Sequence, residues 1–333
     1  MGAQIHSVPA VVSEQPCEVA VRAVPGWLRP YVIGLSGFRS GSGLPVAHLV
    51  LPLASTTVIV DFGSPSGLVS GAREVATTRG DTWWGHGVSF GLTPLGVGVL
   101  FGAPMREFGG GAAGLPDLLG PAATELPGLL GAAAGWEQRF DLLEAMLRSA
   151  ILRAELASTG FDAELADTGL RRATGVATPT SAGRGAAACP ERHIAAIGTS
   201  LVRGSAVRPD PAVTAAWWRL RRGDRPRIGV LADELGVGRR RLERGFRQHI
   251  GMSPATVARI ARFQRVVGRF GAGAAPAEAA AGSGLADQSH LARETRALAG
   301  MTPSALAAHL RTPPVLASQT SKTAGRGGPS VRA

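Results

Sequence analysis

Five arginines fall between positions 239 and 247, and three of them, Arg240, Arg244 and Arg247, recur at helical spacing along one side. A guanidinium so placed neutralises phosphate oxygens or bonds bidentately to a guanine edge. Further along the chain, Gln288 carries an amide that matches the adenine edge, and Arg293 suits guanine or phosphate. His290 lies beside them with no second ligand at helical spacing, which favours packing or a phosphate contact over metal binding. An arginine-rich helix is often only a solvated face, so the distribution of charge has to decide. Residues 1–202 hold 13 Arg and 16 acidic residues, net −3, while residues 203–333 hold 21 Arg, Lys322 and 8 acidic residues, net +14. More than the whole formal charge of +11 therefore sits in the last part of the chain, where it points to a polyanion.

Other chemistries are poorly served. Lys322 is the only lysine, which excludes a phosphate loop of the G-x-x-x-x-G-K-[ST] type and disfavours a Schiff base. Cys17 and Cys189 form no C-x-x-C and have no nearby histidine, so neither a disulfide scaffold nor a zinc or iron–sulfur site is expected, and the cysteines read as bystander thiols. No cofactor is called for. Gly87 to Gly91 is formally G-x-S-x-G, with His86 adjacent, and suggests a small-molecule hydrolase in the N-terminal half. Such an elbow needs a strand before Ser89, a helix immediately after it and a distant acid and histidine, and Pro94 follows closely instead. Trp83, Trp84 and His86 form a candidate effector pocket, with aromatic core packing as the plainer reading. No basic n-region leads a long apolar run, His6 stands where a myristoylation motif needs Ser or Thr, and no apolar run reaches membrane-spanning length. The expected setting is cytoplasmic, with no membrane partner.

The arginines need a scaffold, and a repeat supplies one. Gly251-Met252-Ser253-Pro254 returns 49 residues later as Gly300-Met301-Thr302-Pro303, and Leu242, Arg244 and Arg247 match Leu291, Arg293 and Arg296 at the same offset. One supersecondary unit is thus used twice. In the first, Ile228, Leu231, Ala232 and Leu235 share a helical face, Gly236 ends the helix, and the next helix turns Leu242 and Phe246 inward. In the second, Pro276 opens a helix, Gly284 makes the turn and Asp287 caps the helix that follows. Between them, Ser253-Pro254 starts a long helix with the stripe Ile260, Phe263, Val267 and Phe270 and with Arg259, Arg262, Arg265 and Arg269 on other faces. Two short helices around a Gly-containing turn are the helix-turn-helix pattern, whose second helix enters the major groove.

Residues 225–310 resemble the DNA-binding domain of the AraC/XylS family of bacterial transcription regulators. The run from Gly284 to Leu306 is similar to that family's G-[FY]-x-D-x-S-x-F-x-R-x-F-[KR]-x-x-x-G-x-[TS]-P pattern, and "LADELGVGRRRLERGFRQHIGMSP" to its first half. Gly238 replaces a capping Ser or Thr, and Leu285 and Thr295 replace aromatics, so a less tightly packed second unit is expected. By position, the resemblance implies base contacts at Arg240, Glu243, Arg244, Gln288, Ser289, Ala292 and Arg293. Phosphate contacts are expected at Arg239, Arg241, Arg247, Arg262, His290 and Arg296. It further implies promoter or operator DNA and RNA polymerase as partners, a small-molecule effector, a homodimer, an activator role and a nucleoid-associated location. Nonspecific architectural DNA binding is the alternative without sequence reading.

The expected class is α+β multidomain: a β-rich N-terminal sensor-like domain followed by an all-α domain with two helix-turn-helix units. Strands are expected over His48–Leu53, Thr56–Phe62, Gly67–Val69 and Val88–Leu92, since short apolar runs alternate with turn residues. The segments Leu92 to Gly111 and Leu115 to Gly120 resemble a strand-to-helix part of sensor domains found ahead of AraC-like modules. Glu137–Leu152 reads as an amphipathic helix whose stripe, Phe140, Leu143, Met146, Leu147 and Ile151, either dimerises or packs on its own domain. The boundaries read as 1–153 for the effector or dimerisation domain and 154–210 for a linker or insertion. They continue with 211–311 for the DNA-binding domain, with units at 226–254 and 276–303, and 312–333 for a disordered tail.

Overall fold

The computed structural model describes residues 4–12, 17–64, 67–78, 82–158, 190–200, 206–222, 226–311 and 315–320, residue 311 and the last six as backbone. The chain is β-rich first and helical afterwards, the expected class. Among the described residues ten strands form two sheets: β1 (Ser7–Pro9), β2 (Glu18–Arg22), β3 (Val32–Arg39), β4 (Val46–Val50), β5 (Thr56–Asp61), β6 (Leu68–Ser70), β7 (Trp83–Trp84), β8 (His86–Leu92), β9 (Ala112–Gly114) and β10 (Val315–Thr320). The larger sheet runs β10-β2-β3-β8-β5-β6-β9, the smaller β1-β4-β7. Within the larger sheet only β10 against β2 is parallel. This edge strand lies inside the stretch expected to be a disordered tail, which is corrected over 315–320. In β5 every residue is buried, as a strand covered on both faces must be, while β8 alternates more openly.

Thr93 ends the β8 path and opens α1 (Pro94–Phe101): its hydroxyl accepts from the Gly96 amide at 2.9 Å and donates to the Pro30 carbonyl at 2.6 Å. Two short helices, α2 (Leu115–Leu119) and α3 (Leu126–Ala132), lead to α4 (Trp136–Ser158). The apolar stripe of α4 is spent inside the chain: Phe140, Leu143, Met146, Leu147 and Ile151 are all buried in the main core. Of the two roles expected for this stripe, packing on its own domain is the observed one. On β2, Arg22 is only 3% exposed, and it meets three carboxylates of α4, Asp141 at 2.6 Å, Glu144 at 3.2 Å and Glu137 at 3.6 Å. The acids stand at 137, 141 and 144, one helical face, so the helix answers a buried cation with a row of counter-charges.

A further helix, α5 (Pro190–Ser200), packs along α4 and buries Ile194 and Ile197 in the same core. The stretch 154–210, expected as a linker or insertion, thus contributes a packed helix; residues 159–189, Cys189 among them, lie outside the described residues. The helical half then comprises α6 (Pro211–Arg222), α7 (Ile228–Glu234), α8 (Arg239–His249), α9 (Pro254–Gly271), α10 (Pro276–Ser283), α11 (Gln288–Ala299) and α12 (Pro303–Arg311). These helices do not hang free of the sheets. Trp217 of α6 is fully buried and donates its indole N–H to the Ala54 carbonyl at 2.9 Å. Gln264 of α9 donates to the carbonyls of Pro52 (2.9 Å) and Ile5 (3.2 Å). Among the described residues no helix is long and apolar enough to cross a membrane.

Candidate nucleic-acid interface

Each unit is built by a helix, a glycine turn and a second helix. In the first, Leu231 and Ala232 of α7 are buried, with Ile228 and Leu235 packed against them, and Leu242 and Phe246 of α8 close the unit from the other side. The chain reverses at Gly236, whose φ of 67° is the left-handed conformation that only glycine adopts without strain. Gly238 then stands at the N-cap of α8 with no side-chain bond to the helix.

That inner face leaves Arg239, Arg240, Arg241, Arg244 and Arg247 exposed, but they are not equivalent. Glu243, half-buried, binds Arg239 at 2.9 Å and reaches Arg247 at 3.9 Å. Arg241 pairs at 3.1 Å with Asp210, whose other oxygen accepts from the Ala212 amide at the start of α6. Arg240 and Arg244 have no ion pair among the described residues. They stand at i and i+4, on one side of α8, with their donors unspent. Glu243, expected as a base contact, is thus engaged as a bracket between two arginines in the free chain.

The second unit keeps the plan with different chemistry. The turn falls at Gly284, φ 73°, and Asp287 caps α11 by accepting from the His290 amide at 2.7 Å. Leu291 and Thr295 face inward, and the Thr295 hydroxyl, fully buried, donates to the Leu291 carbonyl at 2.9 Å. Leu285 is buried too, so both residues that replace aromatics still fill core positions. Gln288, Ser289, Arg293 and Arg296 are exposed and Ala292 is half-buried. The half-buried His290 ring accepts from the Ala286 amide at 3.5 Å, which ties it to its own turn. Glu294 takes both arms of Arg259 from α9, at 2.9 and 3.1 Å, and this bond raises the Arg259 pKa.

The connecting α9 begins as the sequence predicts, with Ser253 accepting from the Thr256 amide at 3.1 Å and Pro254 at the first turn. Ile260, Phe263, Val267 and Phe270 are buried. Arg262, expected on phosphate, is half-buried, and its Nε has no hydrogen-bond partner.

The residues offered as an effector pocket are not brought together. Trp83 is 63% exposed and Trp84 is 4% exposed, as neighbours on a strand must face opposite ways. Trp84 stacks on His48 with centroids 4.4 Å apart. His86 instead meets Arg139, with Nη1 3.2 Å from its Nε2, between Phe62 and Trp136. Ser89 lies mid-strand with its hydroxyl 2.8 Å from that of Ser36 and on the face of β8 opposite His86. Asp210 was missed as a bracket, although an acid directly before Pro211 is a readable helix-start signal.

Residues 231–309 match the family model of a helix-turn-helix domain, a span that runs from α7 into α12 and includes both turns. The match supports a DNA-binding transcription regulator. Comparison with curated proteins and with solved structures finds no match.

Proposed function

We propose that the chain is a sequence-specific regulator whose helices α8 and α11 enter two successive major-groove segments of one duplex. The observation that carries this reading is the pair Arg240 and Arg244, exposed on one side of α8 and unpaired among the described residues while Glu243 and Asp210 engage their neighbours. Arg240, Arg244, Gln288, Ser289 and Arg293 read base edges, Ala292 offers a methyl contact to thymine, and Glu243 joins them once DNA displaces its arginine partners. Arg239, Arg241, Arg247, Arg262, His290 and Arg296 neutralise phosphates. The β-rich half serves as an effector domain, its connecting residues Ala54, Pro52 and Ile5 being hydrogen-bonded to α6 and α9 of the helical half. The homodimer, RNA polymerase contact and nucleoid location belong to the same reading.

Hydroxyl-radical and methylation footprinting on the promoter of the chain's own gene tests it. The expected pattern is two protected major-groove segments roughly 10 bp apart, with affinity falling steeply as salt rises. One protected segment would refute the two-helix reading. Equal affinity for promoter and random duplex would make the protein an architectural binder instead.

A further inference from the structure

Arg73 lies on the strip 72–77, which runs antiparallel to residues 50–53 through reciprocal bonds between Arg73 and Leu53 and between Thr77 and Val50. The residue is 8% exposed. Nη2 donates to the Ser70 hydroxyl at 2.9 Å and the Gly111 carbonyl at 3.3 Å, but Nε is buried with no hydrogen-bond partner. Among the described residues no carboxylate stands within ion-pair distance of it. Compare Arg22, also buried, which the fold surrounds with three acids. A buried guanidinium without a counter-ion is strongly unfavourable, and an arginine does not escape by losing its proton.

This charge faces a cavity of about 260 Å³, whose other walls include Val50, Leu68, Trp84 and Thr82. Behind Trp84 stand His6 and His48, with ring centroids 6.0 and 4.4 Å from it. Burial, aided by the Arg73 charge, takes His6 down to about 3, and burial takes His48 to about 4, so both are neutral near pH 7. The cavity thus offers one cation, hydroxyls and an apolar wall. We propose that it binds a small organic acid, its carboxylate paired with Arg73 and its short apolar body against Val50, Leu68 and Trp84. The volume lies just below the ~300–1,000 Å³ of ordinary ligand pockets and suits a molecule of few heavy atoms. A phosphate dianion fits less well, since the lone guanidinium would leave half its charge unmatched beside apolar walls.

The inference names the ligand class for the effector domain proposed above, and for its regulatory consequence it rests on that reading. The same strip touches the DNA reader: the Ala76 amide donates at 2.7 Å to the Leu298 carbonyl in the last turn of α11. On its other side, Arg73 also lines a second cavity, shared with Ile250 and Met252 just after α8. A ligand drawing on Arg73 therefore pulls on a strip that is bonded to α11 and shares a cavity with the residues that follow α8.

The test uses the full chain without DNA, so its failure is separate from failure to bind an operator. Calorimetric titration and thermal melting are run with butyrate, its neutral amide butyramide, and inorganic phosphate. Butyrate is expected to bind saturably and raise the melting temperature, with butyramide and phosphate weaker by about tenfold or more. Arg73→Met should weaken butyrate by the same factor. Ala112→Phe, which blocks the cavity from an exposed position and leaves the guanidinium in place, should do likewise and covers the case in which Arg73→Met does not fold. The proposal is overturned by absent butyrate binding, by equal binding of butyrate and butyramide, by a preference for phosphate, or by full affinity in the folded variants.

Discussion

The first helix-turn-helix unit sinks Leu231, Leu242 and Phe246 into the core that also holds the β-sheet residues, whereas the second gathers Ala279, Leu285, Leu291 and Leu298 into a smaller core with Val8, Leu49 and Leu51. The first presents five exposed arginines on an uncapped helix; the second presents Gln288, Ser289 and Arg293 on a helix capped by Asp287. One scaffold used twice has therefore been anchored in two ways and charged in two ways. The lesson is that the repeated positions preserve the turn and inner face, while the outer face and the support are free to diverge.

The anchoring difference yields the largest effect. Phe246→Ala should cost about 3–5 kcal/mol and lower the main unfolding transition of the chain, because its core is shared with the larger sheet. Leu291→Ala should cost about 2–5 kcal/mol but appear as an earlier, separate transition of the second unit and the β1 and β4 strands that share its core. Urea unfolding followed by tryptophan fluorescence and by hydrogen exchange distinguishes them. A single transition moved equally by both variants would erase the contrast in support.

Acid should sharpen the same contrast, because the second unit leans on the strand pair that carries the buried histidines. His6 precedes β1 and His48 lies on β4, and their folded pKa values of about 3 and about 4 lie below the ordinary value near 6.5. Between those limits the unfolded chain binds protons that the fold refuses. Stability is thus full above about pH 6.5, declines as pH falls through it, and levels off only below the folded values. At about 1.4 kcal/mol per pH unit, His48 alone withdraws on the order of 3 kcal/mol by pH 4. Hydrogen exchange at about pH 5 should show α11 opening before α8, and His48→Phe should flatten the acid limb. Simultaneous opening of α8 and α11 would break the assignment of support.

What was legible in the sequence has a physical pattern. Ser253, Asp287, Gly236 and Gly284 act within three or four residues of themselves, so their caps and turns could be read directly and stand where expected. The stripe of α9 is equally local, since helical periodicity alone puts Ile260, Phe263, Val267 and Phe270 on one face. The partners of Arg22, the Trp217 bond to Ala54 and the solitude of Arg73 depend on residues far apart in the chain, and no spacing rule reveals them. Trp83 and Trp84 show the opposite error: adjacency in the chain suggested a common pocket, and the two-residue period of a strand separates them. Helix α5 was hidden by the small, polar composition that precedes it.

The outer faces give the next effect. Arg240→Ala and Arg244→Ala on one helix, and Gln288→Ala and Arg293→Ala on the other, should each cost about 1–3 kcal/mol of specific binding and relax preference at one base position. Arg239→Ala should weaken all duplexes alike and lower the salt dependence, unless freeing Glu243 adds its own repulsion. Gel-shift titrations on matched and mismatched duplexes separate base reading from phosphate neutralisation. If only the α8 variants lose specificity, α11 is a support and not a reader.

The smallest effect comes from the caps, and it tests whether the second helix must be rigid because it carries fewer charges. Asp287→Ala should cost about 1 kcal/mol, since the His290 amide loses its acceptor. Gly238→Ser should gain only a few tenths, because glycine is itself a tolerated N-cap. Thermal melting checks both values. Operator affinity supplies the discriminating measurement. A helix whose many arginines find phosphate from a range of poses should gain little from a better cap, whereas one reading through Gln288, Ser289 and Arg293 needs its first turn fixed before contact. Asp287→Ala should thus weaken specific binding by more than it weakens nonspecific binding, and an equal loss on both duplexes would mean that the first turn of α11 carries no sequence reading.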